Sequence, residues 1–262
     1  MQLVLSNDST ASEDVMNDLS AHLVARDMSP KAKARLAGFL YLLNILTGLL
    51  AQGYISAQII VPGDAAATAH NILARSTLFR LGFATYLVEM VCQIAMTVLF
   101  YELLKPAGRS VSLVAAAISL VGCGIKTMSR LFYFAPLFIL NGDHYLASFS
   151  GEQLQSLASL LLKVNDYGAA IALAFFGVYA LLKGRLLYQS TFVPRALGVL
   201  TVIGGGGWIA FMWPPLGYRL FPYLAGLGLL GAVVNIFWFL VYGVDEARWR
   251  ERAAEANASV WR

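Results

Sequence analysis

Charged residues are scarce in this chain of 262 residues: only 13% are Asp, Glu, Lys or Arg, whereas 58% are hydrophobic. Soluble domains carry charge on about a quarter of their residues. Because the apolar residues here form long runs, the composition excludes an ordinary soluble domain and indicates a membrane protein. The net charge of +4 does not indicate nucleic-acid binding, since the basic residues cluster at the ends of the apolar runs, as topology signals do.

Cysteine, histidine and catalytic motifs are scarce as well. Cys92 and Cys123 both lie inside apolar runs, which predicts neither a disulfide nor a metal site. The three histidines, His22, His70 and His144, lie in the N-terminal tail or in connections, so no histidine is placed to ligate a membrane haem. No HExxH, GxSxG or CxxC motif occurs. We therefore expect no enzyme activity, no metal and no cofactor.

Six apolar runs are long enough to cross a bilayer, for which about 20 residues are needed. They predict an all-α, polytopic membrane protein with six transmembrane helices in one bundle. The runs cover residues 36–60, 81–104, 112–140, 154–182, 193–213 and 220–244. The first 30 residues are polar and contain no apolar core of a signal peptide, so the first span is expected to act as an uncleaved insertion signal.

Lysine and arginine favour alternate ends of these spans, which sets the predicted orientation. By the positive-inside rule, both termini are cytoplasmic. The basic residues on that side are Arg26, Lys31, Lys33, Arg35, Lys105, Arg109, Lys183, Arg185, Arg195, Arg248, Arg250 and Arg252. Three regions follow: a polar, disordered tail over 1–30, a transmembrane domain over 31–245, and a charged cytoplasmic tail over 246–262.

The connection after the first span has its own pattern. Pro62, Gly63 and Asp64 predict a turn, with Asp64 as the N-cap of a short surface helix. An ordered loop without a helix is the other interpretation of this segment.

Four segments together resemble a known family. "KARLAGFLYLLNILTGL", "IIVPGDAAATAHNILARSTLFRLG", "LFYELLKPAGRS" and "FVPRALGVL", in this order, resemble the bacterial membrane family named domain of unknown function 4386. The resemblance covers about residues 31–245. It implies a bacterial, six-span protein of the inner (plasma) membrane, and it implies no activity and no catalytic residue.

Four charged residues lie inside the predicted spans. At 1.5 Å per residue, Glu89 is about 12 Å from the outer face and Lys126 about 9 Å from it. Arg130 is one turn nearer the outside than Lys126, and Asp166 lies about 6 Å below the outer face. Two acids and two bases therefore share the outer half of the bilayer. Each would destabilise the protein by about 2.5–3.5 kcal/mol if it faced lipid.

Mutual pairing inside the bundle avoids that cost. We predict a Lys126–Glu89 pair and a bidentate Arg130–Asp166 pair. Gln93 lies one turn from Glu89 on the same helix face, and Asn44 of the first span lies at a similar depth.

Two functions are compatible with this cluster. The first is binding or transport of a small polar solute or ion by Glu89, Lys126, Arg130 and Asp166. The second is a membrane-embedded accessory or sensory subunit, in which the same charges only hold the helices together. An intramembrane enzyme is disfavoured because no motif supports it. The expected partners are the lipid bilayer and, for the first function, a small polar ligand. Six spans are few for a transporter, so either function is compatible with a homo-oligomer.

Overall fold

The computed structural model describes residues 28–141 and 146–259, and in these ranges the chain forms eight helices and no strand. Six of them are long and apolar enough to cross a membrane, which confirms the predicted fold class. The helices are α1 (Pro30–Ile59), α2 (Ala65–Ala74), α3 (Ser76–Leu104), α4 (Arg109–Leu140), α5 (Gly151–Gln189), α6 (Arg195–Met212, a 3₁₀-helix from Gly207 onward), α7 (Pro214–Val241) and α8 (Glu246–Ser259). Most of the predicted N-terminal tail, with His22, and also His144 lie outside the described residues.

The six long helices pack in a closed order. Each packs on the next, α1 on α3, then α4, α5, α6 and α7, and α7 returns to α1. Their outward faces leave large apolar side chains exposed, among them Val91 of α3, Leu131 of α4 and Leu230 of α7. Apolar exposure on all sides suits lipid and not water as the surrounding solvent.

Helix α1 changes its geometry near its C-terminal end. Residues Leu49–Ile55 are π-helical, and regular α-helix resumes at Ser56–Ile59. A π-helical turn holds an extra residue, so it rotates the side chains that follow, and such segments are frequent at functional sites. Gly48 precedes the π-helical segment and Gly53 lies inside it.

The short helix α2 closes the same end of the bundle. The Asp64 carboxylate accepts a hydrogen bond from the Ala67 amide at 2.8 Å, and Gly63 adopts a φ of +82°. The predicted turn and N-cap are therefore confirmed, and the segment is a helix and not a plain loop. Helix α2 packs on α4 and α5 and buries Ile72 against the core.

At the opposite end, the C-terminal tail is attached to the bundle. The Trp249 indole donates to the Leu103 carbonyl oxygen at 2.9 Å. The Lys31 amide donates to the Glu246 carboxylate at 3.2 Å. Hydrogen bonds from the Ser29 hydroxyl and the Lys31 amide hold the pKa of Glu246 below its ordinary value. The charged segment Glu246–Ser259 forms helix α8, and Trp249 anchors this helix on the backbone of α3.

Candidate functional site

Lys126 of α4 and Glu89 of α3 form the ion pair predicted from their depths. The Lys126 Nζ lies 2.6 Å from the Glu89 Oε1, and the two side chains are only 13% and 10% exposed. The second carboxylate oxygen, Oε2, is buried and has no hydrogen-bond partner among the described residues. The two charges neutralise each other inside the bundle.

Polar groups of α1 and α3 surround this pair. The Asn44 side-chain amide donates to the Glu89 backbone oxygen at 2.9 Å, which ties α1 to α3. A Cβ atom on Gly48 would lie 3.4 Å from the Glu89 Oε1, so the carboxylate reaches the surface of α1 where a side chain is missing. Gln93 is buried nearby on α3, but its side chain forms no hydrogen bond within the described ranges. One turn beyond Gln93, the Thr97 hydroxyl lies 2.8 Å from the Ser119 hydroxyl of α4.

Arg130 lies one turn after Lys126 on α4 and has a different environment. It is 1% exposed, its Nη1 donates to the Asn165 Oδ1 at 2.9 Å, and its guanidinium carbon lies 3.7 Å from the centre of the Tyr86 ring. Its Nε is buried without a hydrogen-bond partner. Among the described residues, no carboxylate lies within ion-pair distance of Arg130. An amide and an aromatic face do not neutralise a full charge, so this cation has no direct counter-charge.

The predicted Arg130–Asp166 pair is wrong. Asn165 lies between the two charges, and its Nδ2 donates to the Asp166 Oδ1 at 3.1 Å. Consecutive helix residues point about 100° apart. Helix α5 therefore turns Asn165 inward, where it is 3% exposed, and leaves Asp166 exposed. The four charges form one closed pair and one open chain, not a single network.

A cavity of about 220 Å³, open on one side, lies next to Arg130. Helices α1, α3, α4 and α5 line it, with Ala57 and Ile60 as its apolar residues. Its polar lining residues are Gln52, Ser56, Tyr86, Tyr133, Asn165 and Asp166. Tyr86 and Asn165 contact Arg130 on one side and the cavity on the other, so the guanidinium lies directly behind the cavity wall. We call Arg130 and this cavity the Arg130 site.

The hydrogen bonds of the cavity wall leave some groups unused. The Tyr86 hydroxyl donates to the Gln52 Oε1 at 2.7 Å and lies 3.1 Å from the Ser56 hydroxyl. The Tyr133 ring packs edge-on against Tyr86 with ring centres 5.2 Å apart, but the Tyr133 hydroxyl is buried and has no partner among the described residues. The site therefore has free capacity for hydrogen bonds at Arg130 and at Tyr133.

A family model described as "Domain of unknown function (DUF4386)" matches residues 36–243. The chain belongs to this family. A relative from Archaeoglobus fulgidus, named "Uncharacterized protein", is 26% identical over 157 residues, which are 59% of this chain and 78% of the relative. No solved structure matches the chain.

In this DUF4386 protein, sequence reasoning missed the uncharged residues of the site. Gln52 and Ser56 lie four residues apart on α1, and Tyr133 lies one turn after Arg130. The helical spacing from Arg130 could therefore have predicted that Tyr133 belongs to the site. Nothing in the apolar pattern distinguishes Tyr86 from the other aromatic residues. Asn165 could have been considered as an alternative partner of Arg130, because Asn165 directly precedes Asp166.

Lys183 also differs from its expected place at a water-facing boundary. It is only 5% exposed, and its Nζ lies 4.6 Å from the Phe100 ring centre and 5.3 Å from those of Tyr41 and Tyr179. Cation–π contacts of this kind stabilise a desolvated cation by about 2 kcal/mol. This residue packs α1, α3 and α5 together and is not a simple topology signal.

Proposed function

We propose that this DUF4386 protein binds a small polar solute at the Arg130 site. One observation carries the proposal: a buried arginine without a carboxylate partner lies behind the wall of an open, polar cavity. Removing an ion from water destabilises a protein by several kcal/mol unless a counter-charge offsets the loss. Charged residues inside membrane spans are therefore functional candidates. A ligand that reaches Arg130 would supply the compensation that the chain does not.

Transport of the same solute is the wider form of this proposal. The π-helical segment Leu49–Ile55 contributes Gln52 to the cavity, and helices that depart from regular geometry are typical of transporter binding sites. On α4, the closed Glu89–Lys126 pair lies one turn beyond Arg130, away from Tyr133. A solute that passes the site would have to disrupt or bypass that pair. Uptake of a bound solute into proteoliposomes tests this step.

The experiment for binding is a thermal-shift screen of small polar metabolites on the protein in detergent. A ligand at 100 times its Kd adds about 2.7 kcal/mol to the free energy of unfolding. We expect hits with the wild type and with Arg80→Ala, an exposed arginine of α3 that is the matched control. Arg130→Ala should lose them. If no compound stabilises the wild type, or if Arg130→Ala keeps every hit, the proposal is wrong.

One observation favours the second function, a membrane-embedded accessory or sensory subunit. The Glu89–Lys126 pair is closed and buried, as expected of charges that only hold helices together. This interpretation predicts that no solute binds and that the protein co-purifies with a fixed partner from native membrane. We propose that both termini lie in the cytoplasm, from the arrangement of the basic residues, and that the membrane is a bacterial inner membrane, from the family resemblance. Labelling of single cysteines introduced near residues 28 and 63 tests that orientation.

A further inference from the structure

We infer that the ligand of the Arg130 site is a zwitterion, a small molecule or headgroup that carries one anionic group and one ammonium group. The inference rests on the proposed binding function and adds the chemical class of the ligand. It follows from the two opposite charges beside one cavity and from the groups that each of them leaves unused.

The anionic group is matched by Arg130 and Tyr133. The Arg130 Nε and the Tyr133 hydroxyl are both buried and without a partner among the described residues, and they lie one turn apart on α4. A buried donor that forms no hydrogen bond is destabilising by about 1–3 kcal/mol. A guanidinium presents its N–H groups in a planar fork that fits a carboxylate or a phosphate. An anion that enters from the cavity past the wall formed by Tyr86 and Asn165 would accept from these unused donors.

The ammonium group is matched by Asp166. Its carboxylate lines the cavity and accepts one hydrogen bond, from Asn165. No Lys, Arg or His of the described residues forms an ion pair with it. A ligand with only an anionic group would meet this negative charge at the mouth of the site, and like charges repel. A ligand that also carries an ammonium group turns that repulsion into an attraction.

The spacing of the two charges fits one small molecule. Asn165 is hydrogen-bonded to both, so the Arg130 Nη1 and the Asp166 Oδ1 are no more than about 8 Å apart. Two charge-assisted hydrogen bonds of about 2.8 Å leave about 2.4 Å along the line between these atoms, so the two charged groups of the ligand must lie close together. The cavity of about 220 Å³ is also smaller than the 300–1,000 Å³ typical of drug-sized ligands. An amino acid, or the phosphoethanolamine headgroup of a lipid, has this chemistry and size.

The test compares four probes on the protein in detergent by thermal shift and calorimetry. Alanine carries a carboxylate and an ammonium group, propionate lacks the ammonium, ethylamine lacks the carboxylate, and phosphoethanolamine replaces the carboxylate with a phosphate. We expect alanine or phosphoethanolamine to bind at least about tenfold more tightly than propionate and ethylamine, a difference of about 1.4 kcal/mol. Binding of alanine assigns a free solute. Binding of phosphoethanolamine without alanine, with stabilisation by phosphatidylethanolamine nanodiscs over phosphatidylcholine ones, assigns a lipid headgroup.

The decisive variant is Asp166→Asn. Asp166 is exposed and its replacement keeps an oxygen that accepts from Asn165, so the fold should be retained. We expect this variant to bind the zwitterion and propionate within about threefold of each other, while Arg80→Ala behaves as wild type. If the wild type binds propionate as tightly as the better of alanine and phosphoethanolamine, or if Asp166→Asn keeps the wild-type preference, the zwitterion is overturned and the proposed binding function is left intact. If none of the four probes binds, the zwitterion is also overturned, and the metabolite screen decides the proposed function separately.

Discussion

The Glu89–Lys126 pair and the Arg130 site lie one helical turn apart on α4, yet their buried cations have different partners. Lys126 contacts a carboxylate at 2.6 Å, whereas Arg130 contacts an amide and an aromatic ring. The first arrangement is complete within the chain. The second leaves a cation without a direct counter-charge next to a cavity. Charge balance along a span therefore does not define a site; the position of each counter-charge does.

Helix spacing explains part of this difference. A long lysine side chain reaches Glu89 across the α3–α4 contact, and Gly48 leaves space on α1 for the carboxylate. Near Arg130, α4 and α5 approach each other closely: a Cβ atom on Gly168 would lie 2.6 Å from the Cβ of Ser129. The close approach brings Asn165 to the guanidinium and leaves Asp166 exposed at the mouth of the cavity.

The largest effect on stability should come from breaking the closed pair with Glu89→Gln. This change leaves Lys126 buried without a counter-charge, which should lower the free energy of unfolding by about 3 kcal/mol. The measurement is chemical unfolding of the protein in detergent. The double variant Glu89→Gln with Lys126→Met removes both charges and should recover most of the loss. A single variant as stable as the wild type would show that the pair contributes nothing to the fold.

The next effect should come from Gly168→Ala, which acts on the helix contact beside the Arg130 site. The added methyl group meets the Ser129 side chain and must push α5 away from α4, at a cost of about 1–3 kcal/mol. The Arg130–Asn165 hydrogen bond should weaken, and any ligand found in the screen should bind less tightly. Gly124→Ala is the matched control on α4, because a Cβ there meets nothing within 4 Å. That control should be neutral or stabilise by up to about 1 kcal/mol. Equal losses in the two variants would refute the close-contact explanation.

The sequence predicts the fold and half of the site, for reasons that these residues make clear. Apolar runs define the six spans, and Asp64 marks the start of α2, because span length and N-capping are local properties. Depth along a span is also local, since every helical residue adds the same rise, and depth alone found the Lys126–Glu89 pair.

The other half of the site depends on the direction in which each side chain points about the helix axis, and the depth of a residue along the span does not give that direction. Asn165 and Asp166 share a depth but point about 100° apart, so only packing decides which of them faces Arg130. The π-helical segment in α1 has the same effect on Gln52 and Ser56, because the extra residue in its turn is not visible in an apolar run. The cavity itself arises from four helices and has no signature in any one of them.

A smaller effect is expected for Asn44→Ala, which removes a support of the closed pair without touching a charge. The variant loses the hydrogen bond from Asn44 to the Glu89 backbone oxygen. Side-chain hydrogen bonds between membrane helices contribute about 0.6 kcal/mol on average and up to about 1.7 kcal/mol. Unfolding in detergent should therefore show a loss near 1 kcal/mol, with ligand binding at the Arg130 site unchanged. Loss of binding in this variant would show that the two regions are coupled and are not separate.

The smallest change in stability should come from Arg130→Met, although this residue is more buried than Lys126. The variant loses a charge-assisted hydrogen bond to Asn165, worth about 1.5–3 kcal/mol, and the contact with the Tyr86 ring. It also removes an uncompensated cation from the interior, and that gain is of similar size. The two terms nearly cancel, so we expect a net change within about 1 kcal/mol.

Lys126→Met is the matched comparison, since it leaves Glu89 unpaired and should be destabilising by about 3 kcal/mol. A near-zero change in Arg130→Met would support binding, and not stability, as the role of Arg130. If Arg130→Met is instead as destabilising as Lys126→Met, Arg130 holds helices together and the contrast between the two regions disappears.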